Sequence, residues 1–163
     1  VGPVTLSAMA ESPFAQVFRP SRVLGGAIML CGVAMLAGSP FTALFEDPAW
    51  SVACMGLPLA GCGIVMLLWG WGFFVARVEL GDATLRVTVP KLWLGLPVPP
   101  VIHLDAARAA VTEVRGGGRM WAVHADGRAV LFSTSMGLRS AKVAEAIAAW
   151  AGVRRVTVDG GGV

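Results

Sequence analysis

The chain has 163 residues, 56% of them hydrophobic and only 14% charged, with a formal net charge of +3. Ordinary soluble domains carry about 25% charged residues, so a wholly water-soluble chain is a poor fit. The charge is too small and too scattered for a nucleic-acid binder. The three cysteines, Cys31, Cys54 and Cys62, match neither a metal-ligand spacing nor a disulfide framework. Basic residues are eleven arginines and two lysines, which with the Ala, Gly and Val content points to a GC-rich bacterial genome.

The charge deficit is local. Val23–Phe45 and Pro48–Ala76 contain no charged residue, and polar residues concentrate after Ala76. Residues 1–22 form a first segment that carries Arg19 and Arg22. The first apolar run, over about 23–43, and the second, over about 50–75, each supply the roughly 20 helical residues that a bilayer core needs. A cleaved signal peptide is the alternative for the first run, with Ala37-Gly38-Ser39 as a weak cleavage pattern. The long leader and the second run close behind favour a span. Trp50 and Trp71 are 21 residues apart, about 32 Å at the helical rise. Trp50 is therefore expected at one membrane surface, and Trp69 and Trp71 at the other.

Arginines flank the pair of spans (Arg19 and Arg22 before, Arg77 and Arg86 after), whereas the connecting loop carries Glu46 and Asp47. By the positive-inside rule both termini are expected in the cytoplasm, with a short periplasmic loop. Small residues recur along each span: Ala27, Cys31, Ala34 and Gly38 in the first, Ala53, Gly56, Ala60 and Gly63 in the second. Such faces let helices approach closely in lipid. They fit a hairpin packed on itself, a face offered to a foreign membrane helix, or both. Pro58 is expected to kink the second helix. No ionisable residue lies within either span, which argues against transport or electron transfer by this chain alone.

After Arg77 the apolar period becomes two. Leu85, Val87 and Val89 alternate with Thr84, Arg86 and Thr88, as in a half-buried strand. Gly81-Asp82 marks a turn before it. A proline-rich stretch, Pro90–Pro100, encloses KLWLGLPV. Further strands are predicted around Val101–Leu104, Ala110–Arg115, Met120–His124 and Arg128–Ser133. Asp126-Gly127 is a hairpin signal, and Gly116–Gly118 a looser turn. A helix is predicted from Ser140 to Ala151, stopped by Gly152, with Val143, Ala146, Ile147 and Trp150 on its apolar face. The remaining residues, 153–163, are a tail in which VRRVTV could add a last strand.

The segments IHLDAARAAVTEV, MWAVHADGRAVLF and SAKVAEAIAAWAG together resemble the bacterial PH-like domain over about residues 76–152. The resemblance implies a membrane α-helical hairpin plus an α+β soluble domain, an antiparallel PH-like β-sandwich or barrel closed by a C-terminal helix. It also implies a link to the assembly of photosynthetic or other membrane complexes. The loop Gly81-Asp82-Ala83 lacks the basic residues with which lipid-binding PH domains hold a headgroup.

Candidate chemistry is sparse. His103 and Asp105 would share one face of a strand, and His124 lies beside Asp126; each reads most simply as a surface polar pair. Ser133, Thr134 and Ser135 lack an identifiable base. The run RGGGR lacks the strand–loop–helix setting of a phosphate loop. Trp93, between Leu92 and Leu94, suits either a loop dipping into the headgroup region or the small core. No catalytic, cofactor or metal residue is therefore assigned. The expected function is a non-catalytic accessory or scaffold subunit of a larger inner-membrane complex, photosynthetic or respiratory. Its expected partners are membrane lipids and other integral membrane subunits, not nucleic acid. The alternative is a free-standing, membrane-tethered PH-like module binding a peptide or cytoplasmic protein.

Overall fold

A computed structural model describes residues 16–44 and 48–158. The expectations for Glu46 and Asp47 in the connecting loop, and for the last residues of the tail, lie outside these residues. Two helical segments, Arg22–Leu44 and Pro48–Val75, are long and apolar enough to cross a membrane. Only 11% of the most apolar stretch of either is buried, so neither resembles the core helix of a water-soluble domain.

Helix α1 (Arg22–Gly38) starts at Ser21, whose Oγ accepts from the Leu24 N–H at 3.3 Å. It tightens into a 3-10 segment over Ser39–Leu44. Pro40 has no N–H to offer the Leu36 carbonyl; the Ser39 hydroxyl donates to that oxygen instead, at 2.9 Å. The second apolar segment comprises α2 (Pro48–Ser51), a π-helical stretch Val52–Gly56, and α3 (Leu57–Val75). The disturbance expected from Pro58 takes this π-helical form. Just ahead of the proline, the Leu57 N–H reaches back five residues to the Val52 carbonyl.

One residue, Ala76, separates α3 from β2 (Arg77–Leu80), so the last turn of the helix leads directly into a sheet. Strands β3 (Thr84–Trp93) and β4 (Leu96–Ala107) follow. The N-terminal segment also contributes, through β1 (Gln16–Phe18), which pairs antiparallel with β2. The first sheet has the order β1-β2-β3-β4. The proline-rich stretch is not a separate loop but the distal half of the β3–β4 hairpin. Its register shifts at Pro90/Lys91, and Pro97, Pro99 and Pro100 lie on β4, an outermost strand, where a missing N–H is tolerated.

The second sheet contains β5 (Val111–Gly117), β6 (Met120–Ala125), β7 (Arg128–Ser133) and β8 (Arg155–Thr157), in the order β7-β6-β5-β8. Strand β8 joins β5 in parallel. Asp126 and Gly127 both have positive φ, 49° and 71°, the two-residue hairpin geometry that Asp-Gly favours. Helix α4 (Ser140–Ala151) buries Val143, Ala144, Ile147 and Trp150. One core joins both sheets and this helix: Val78, Leu85, Val87 and Val89 meet Val114, Val123 and Phe132, all buried. The Trp150 indole N–H donates to the Gly81 carbonyl at 2.7 Å, fixing the helix to the β2–β3 turn.

Candidate functional site: helix seam and membrane-facing surfaces

The hairpin is built on glycines seven residues apart. On α1 these are Gly25 and Gly32; on the second apolar segment they are Gly56, Gly63 and Gly70. All five are buried. A methyl group on Gly32 would lie 2.8 Å from the Gly63 carbonyl oxygen, and one on Gly63 would lie 2.8 Å from that of Gly32. A methyl on Gly70 would likewise stand 2.8 Å from the Gly25 oxygen. One on Gly56 would strike the buried Thr42 hydroxyl at 2.6 Å. The helices therefore approach backbone to backbone, the arrangement that lipid favours because burial of apolar side chains gains nothing there.

The sequence-predicted small faces are divided by this seam. Gly56 and Gly63 lie in it, and Ala60 and Gly38 are half-buried beside it. Ala27, Cys31, Ala34 and Ala53 are exposed. The physical reason is that close approach needs the space of a Cβ, which alanine and cysteine occupy and glycine leaves open. A seven-residue glycine spacing carries that signal; a mixed set of small residues does not.

The two-sheet domain docks on the last turns of α3. Gly72 faces Pro97 of β4, where an added methyl would lie 2.9 Å from Pro97 Cγ, and Phe73 fills the space beside Gly137. Beyond Thr88, the partner of Arg77, strand β3 runs back along α3. Its hairpin tip reaches Trp69: Trp69, Leu94, Gly95 and Leu96 line one cleft. At the tip Trp93 is 64% exposed and Leu94 83% exposed. Trp93, the last residue of β3, is thus not part of the small core. Leu94 has a φ of 48°, a left-handed conformation that costs a non-glycine residue roughly 1–2 kcal/mol. Trp50 is exposed near the opposite end of the hairpin, Trp69 is partly exposed and Trp71 half-buried.

The polar candidates are placed in pairs across strands. Asp105 faces Arg86 at 3.1 Å, and His103 Nδ1 lies 3.3 Å from the Thr88 hydroxyl, both on the outer face of the first sheet. His124 Nε2 lies 3.9 Å from Glu113. The Ser133 hydroxyl is 2.6 Å from that of Ser135 and accepts the Ser135 N–H, a local turn. Gly118-Arg119 forms the tight turn of the β5–β6 hairpin. Among the described residues no three of His, Cys, Asp or Glu converge as metal ligands.

Sequence reasoning missed a basic cluster where the two helices meet the sheet. Strand β1 brings Arg19 beside Arg77, and Arg19 Nη2 and Arg77 Nε each lie 3.8 Å from the same Glu79 Oε1. Only the pairing of Gln16–Phe18 with β2 creates this contact, and a three-residue strand leaves no periodic signal. Comparison of the chain with family models, with curated proteins and with solved structures returns no match.

Proposed function

We propose that this chain is a non-catalytic accessory or scaffold subunit of a larger bacterial inner-membrane complex, held by its helical hairpin and covering a cytoplasmic face of its partner through a PH-like domain. The observation that carries this reading is the division of labour on α1. Its glycine side is used by the hairpin, while Ala27, Cys31 and Ala34 form a second, small-residue side turned outward. A foreign membrane helix could pack along that side, at the wider spacing that alanine and cysteine allow rather than the backbone contact of the glycine seam. The topology is supported by the arginines at Arg19, Arg22 and Arg77, all at the end where α1 begins and α3 finishes.

The test is solubilisation in a gentle detergent followed by identification of co-purifying chains. A stoichiometric membrane partner, lost in Ala27→Leu/Ala34→Leu while the hairpin stays compact, is the expected result. A lone monomer would defeat the subunit reading. Reporter fusions at the N-terminus, near Glu46 and after Gly152 check the orientation. A cytoplasmic signal from the Glu46 fusion would overturn it.

The alternative, a free-standing tethered module, is favoured by a different surface. The outer face of the second sheet holds a shallow apolar cavity of ≈ 370 Å³ lined by Met120, Ala122, Ala129 and Leu131. Strand β7 beside it has no further strand partner among the described residues, and an unpaired edge can accept an extended peptide. Peptide binding by a monomer, unaffected by Ala27→Leu, would favour this second reading.

A further inference from the structure

A cavity of ≈ 250 Å³ opens where the first residues of α1, the last turn of α3 and the first sheet meet. Arg19, Arg22 and Arg77 line it, with Thr88 and His103 as hydrogen-bonding groups. Phe74, itself 46% exposed, and Val101 add apolar wall. The charge is unbalanced. Glu79 is shared between Arg19 and Arg77 at 3.8 Å each, and Arg22 has no ion pair among the described residues. Three guanidinium groups beside one carboxylate leave a net cationic site, and the α1 N-terminus adds its partial positive charge.

We infer that this cavity seats the phosphate of an anionic phospholipid, with Arg19, Arg22 and Arg77 around the headgroup and an acyl chain running down past Phe74. Arginine suits this because its planar donors engage phosphate oxygens in pairs. A soluble phosphate ester shares that headgroup chemistry. The apolar wall continuous with the helix surface favours the lipid, as does the position at the end of both apolar helices. The site differs from the β-turn pocket of lipid-binding PH domains, which Gly81-Asp82-Ala83 cannot form. It depends on the reading that the hairpin crosses the membrane but not on any protein partner.

The test uses the full chain in a mild non-ionic detergent, with native mass spectrometry reading the lipid retained from an equal mixture of phosphatidylglycerol and phosphatidylcholine. The unmodified chain should retain phosphatidylglycerol about thirtyfold better, since each arginine near a membrane surface contributes about 1 kcal/mol toward anionic lipid and one of the three is offset by Glu79. Arg19→Gln/Arg77→Gln should bring the two lipids to parity. Because those arginines also flank the spans, Thr88→Glu gives an independent route: it places a carboxylate in the cavity wall and leaves both helices unchanged. Arg128→Gln, on β7, should leave the preference intact. Parity in the unmodified chain, or an unchanged preference in both cavity variants, would overturn the proposal. Displacement of the lipid by millimolar glycerol 3-phosphate would assign the site to a soluble ester and overturn the lipid assignment. Carbonate extraction of membranes reads the span separately. A chain that is washed out overturns the crossing and this site together; a retained chain with lipid parity overturns the site alone.

Discussion

The hairpin and the two-sheet domain are held together by opposite means. In the domain, large side chains fill the space between two sheets and a helix: Phe132, Leu85, Met136 and Ile147 are fully buried. In the hairpin the buried residues are mostly glycines, and bulky groups such as Val23, Leu30 and Val33 point outward. Water drives the first arrangement, at about 25 cal/mol per Å² of apolar surface removed. In lipid, where we propose the hairpin sits, there is no such reward, and the second relies on backbone proximity and weak contacts between carbonyls and Cα–H groups. One chain thus needs its largest residues inside in one half and its smallest inside in the other.

The sharpest way to break that contrast is to make the opposite kind of change in each half. Phe132→Ala removes a fully buried ring from the domain and should cost about 3–5 kcal/mol, the usual range for such a cavity. Denaturant melts of the full chain in micelles would read it, and a loss under about 1 kcal/mol would mean that Phe132 is not a core residue. In the hairpin, enlargement does the damage. Gly63→Ala drives a methyl against the Gly32 carbonyl and should cost roughly 1–3 kcal/mol, as overpacking does. Cys62→Ala, at the neighbouring exposed position, should be silent. Crosslinking between cysteines placed at the two helix ends would report the separation. Equal effects from the two substitutions would remove the glycine seam.

These expectations show which parts of the molecule were legible. The alternation of Leu85, Val87 and Val89, the Asp126-Gly127 turn and the apolar face of Ser140–Ala151 each follow from local rules, and the structure places them accordingly. The glycine seam was written in the sequence too, at Gly25/Gly32 and Gly56/Gly63/Gly70. Grouping glycine with alanine and cysteine hid it, because that grouping ignores the one carbon atom that decides closest approach. The β3–β4 hairpin was obscured because its turn is Leu94-Gly95: leucine carries no signal for a left-handed residue, and the surrounding prolines read as a loop. Strand β1 and the arginine cavity depend on a pairing of residues sixty or more positions apart. No local pattern encodes that.

A smaller effect separates two buried tryptophans of the domain. Trp150 donates its indole N–H to the Gly81 carbonyl, whereas the Trp121 N–H is buried with no hydrogen-bond partner. Trp150→Phe forfeits a made bond and should cost about 1–2 kcal/mol beyond the change in size. Trp121→Phe removes an unsatisfied donor, which offsets its lost area and its contact with the Arg155 guanidinium at 5.5 Å. Paired melts should therefore rank Trp150→Phe clearly below Trp121→Phe. The reverse order would mean that the Trp121 N–H has found a partner in solution.

The hairpin tip belongs to neither packing scheme, and there the smallest change in stability should accompany a change in membrane contact. Trp93 and Leu94 are exposed, so neither contributes a buried side chain to the domain. Leu94 even works against it by holding a left-handed backbone conformation that asparagine adopts more readily. Leu94→Asn should accordingly stabilise the domain by about 0.5–1 kcal/mol, part of the left-handed penalty, while Trp93→Ala should stay within about 0.5 kcal/mol, as surface changes do. If the tip sits in the headgroup layer beside Trp69, both variants should also lose tip burial, read by a fluorophore at the exposed position 91 and bilayer quenchers of graded depth. The strain at Leu94 would then be explained by its side chain's contact with lipid. A Leu94→Asn variant that gains stability with unchanged quenching would leave the strained leucine without that explanation and remove the tip from the membrane-facing surface.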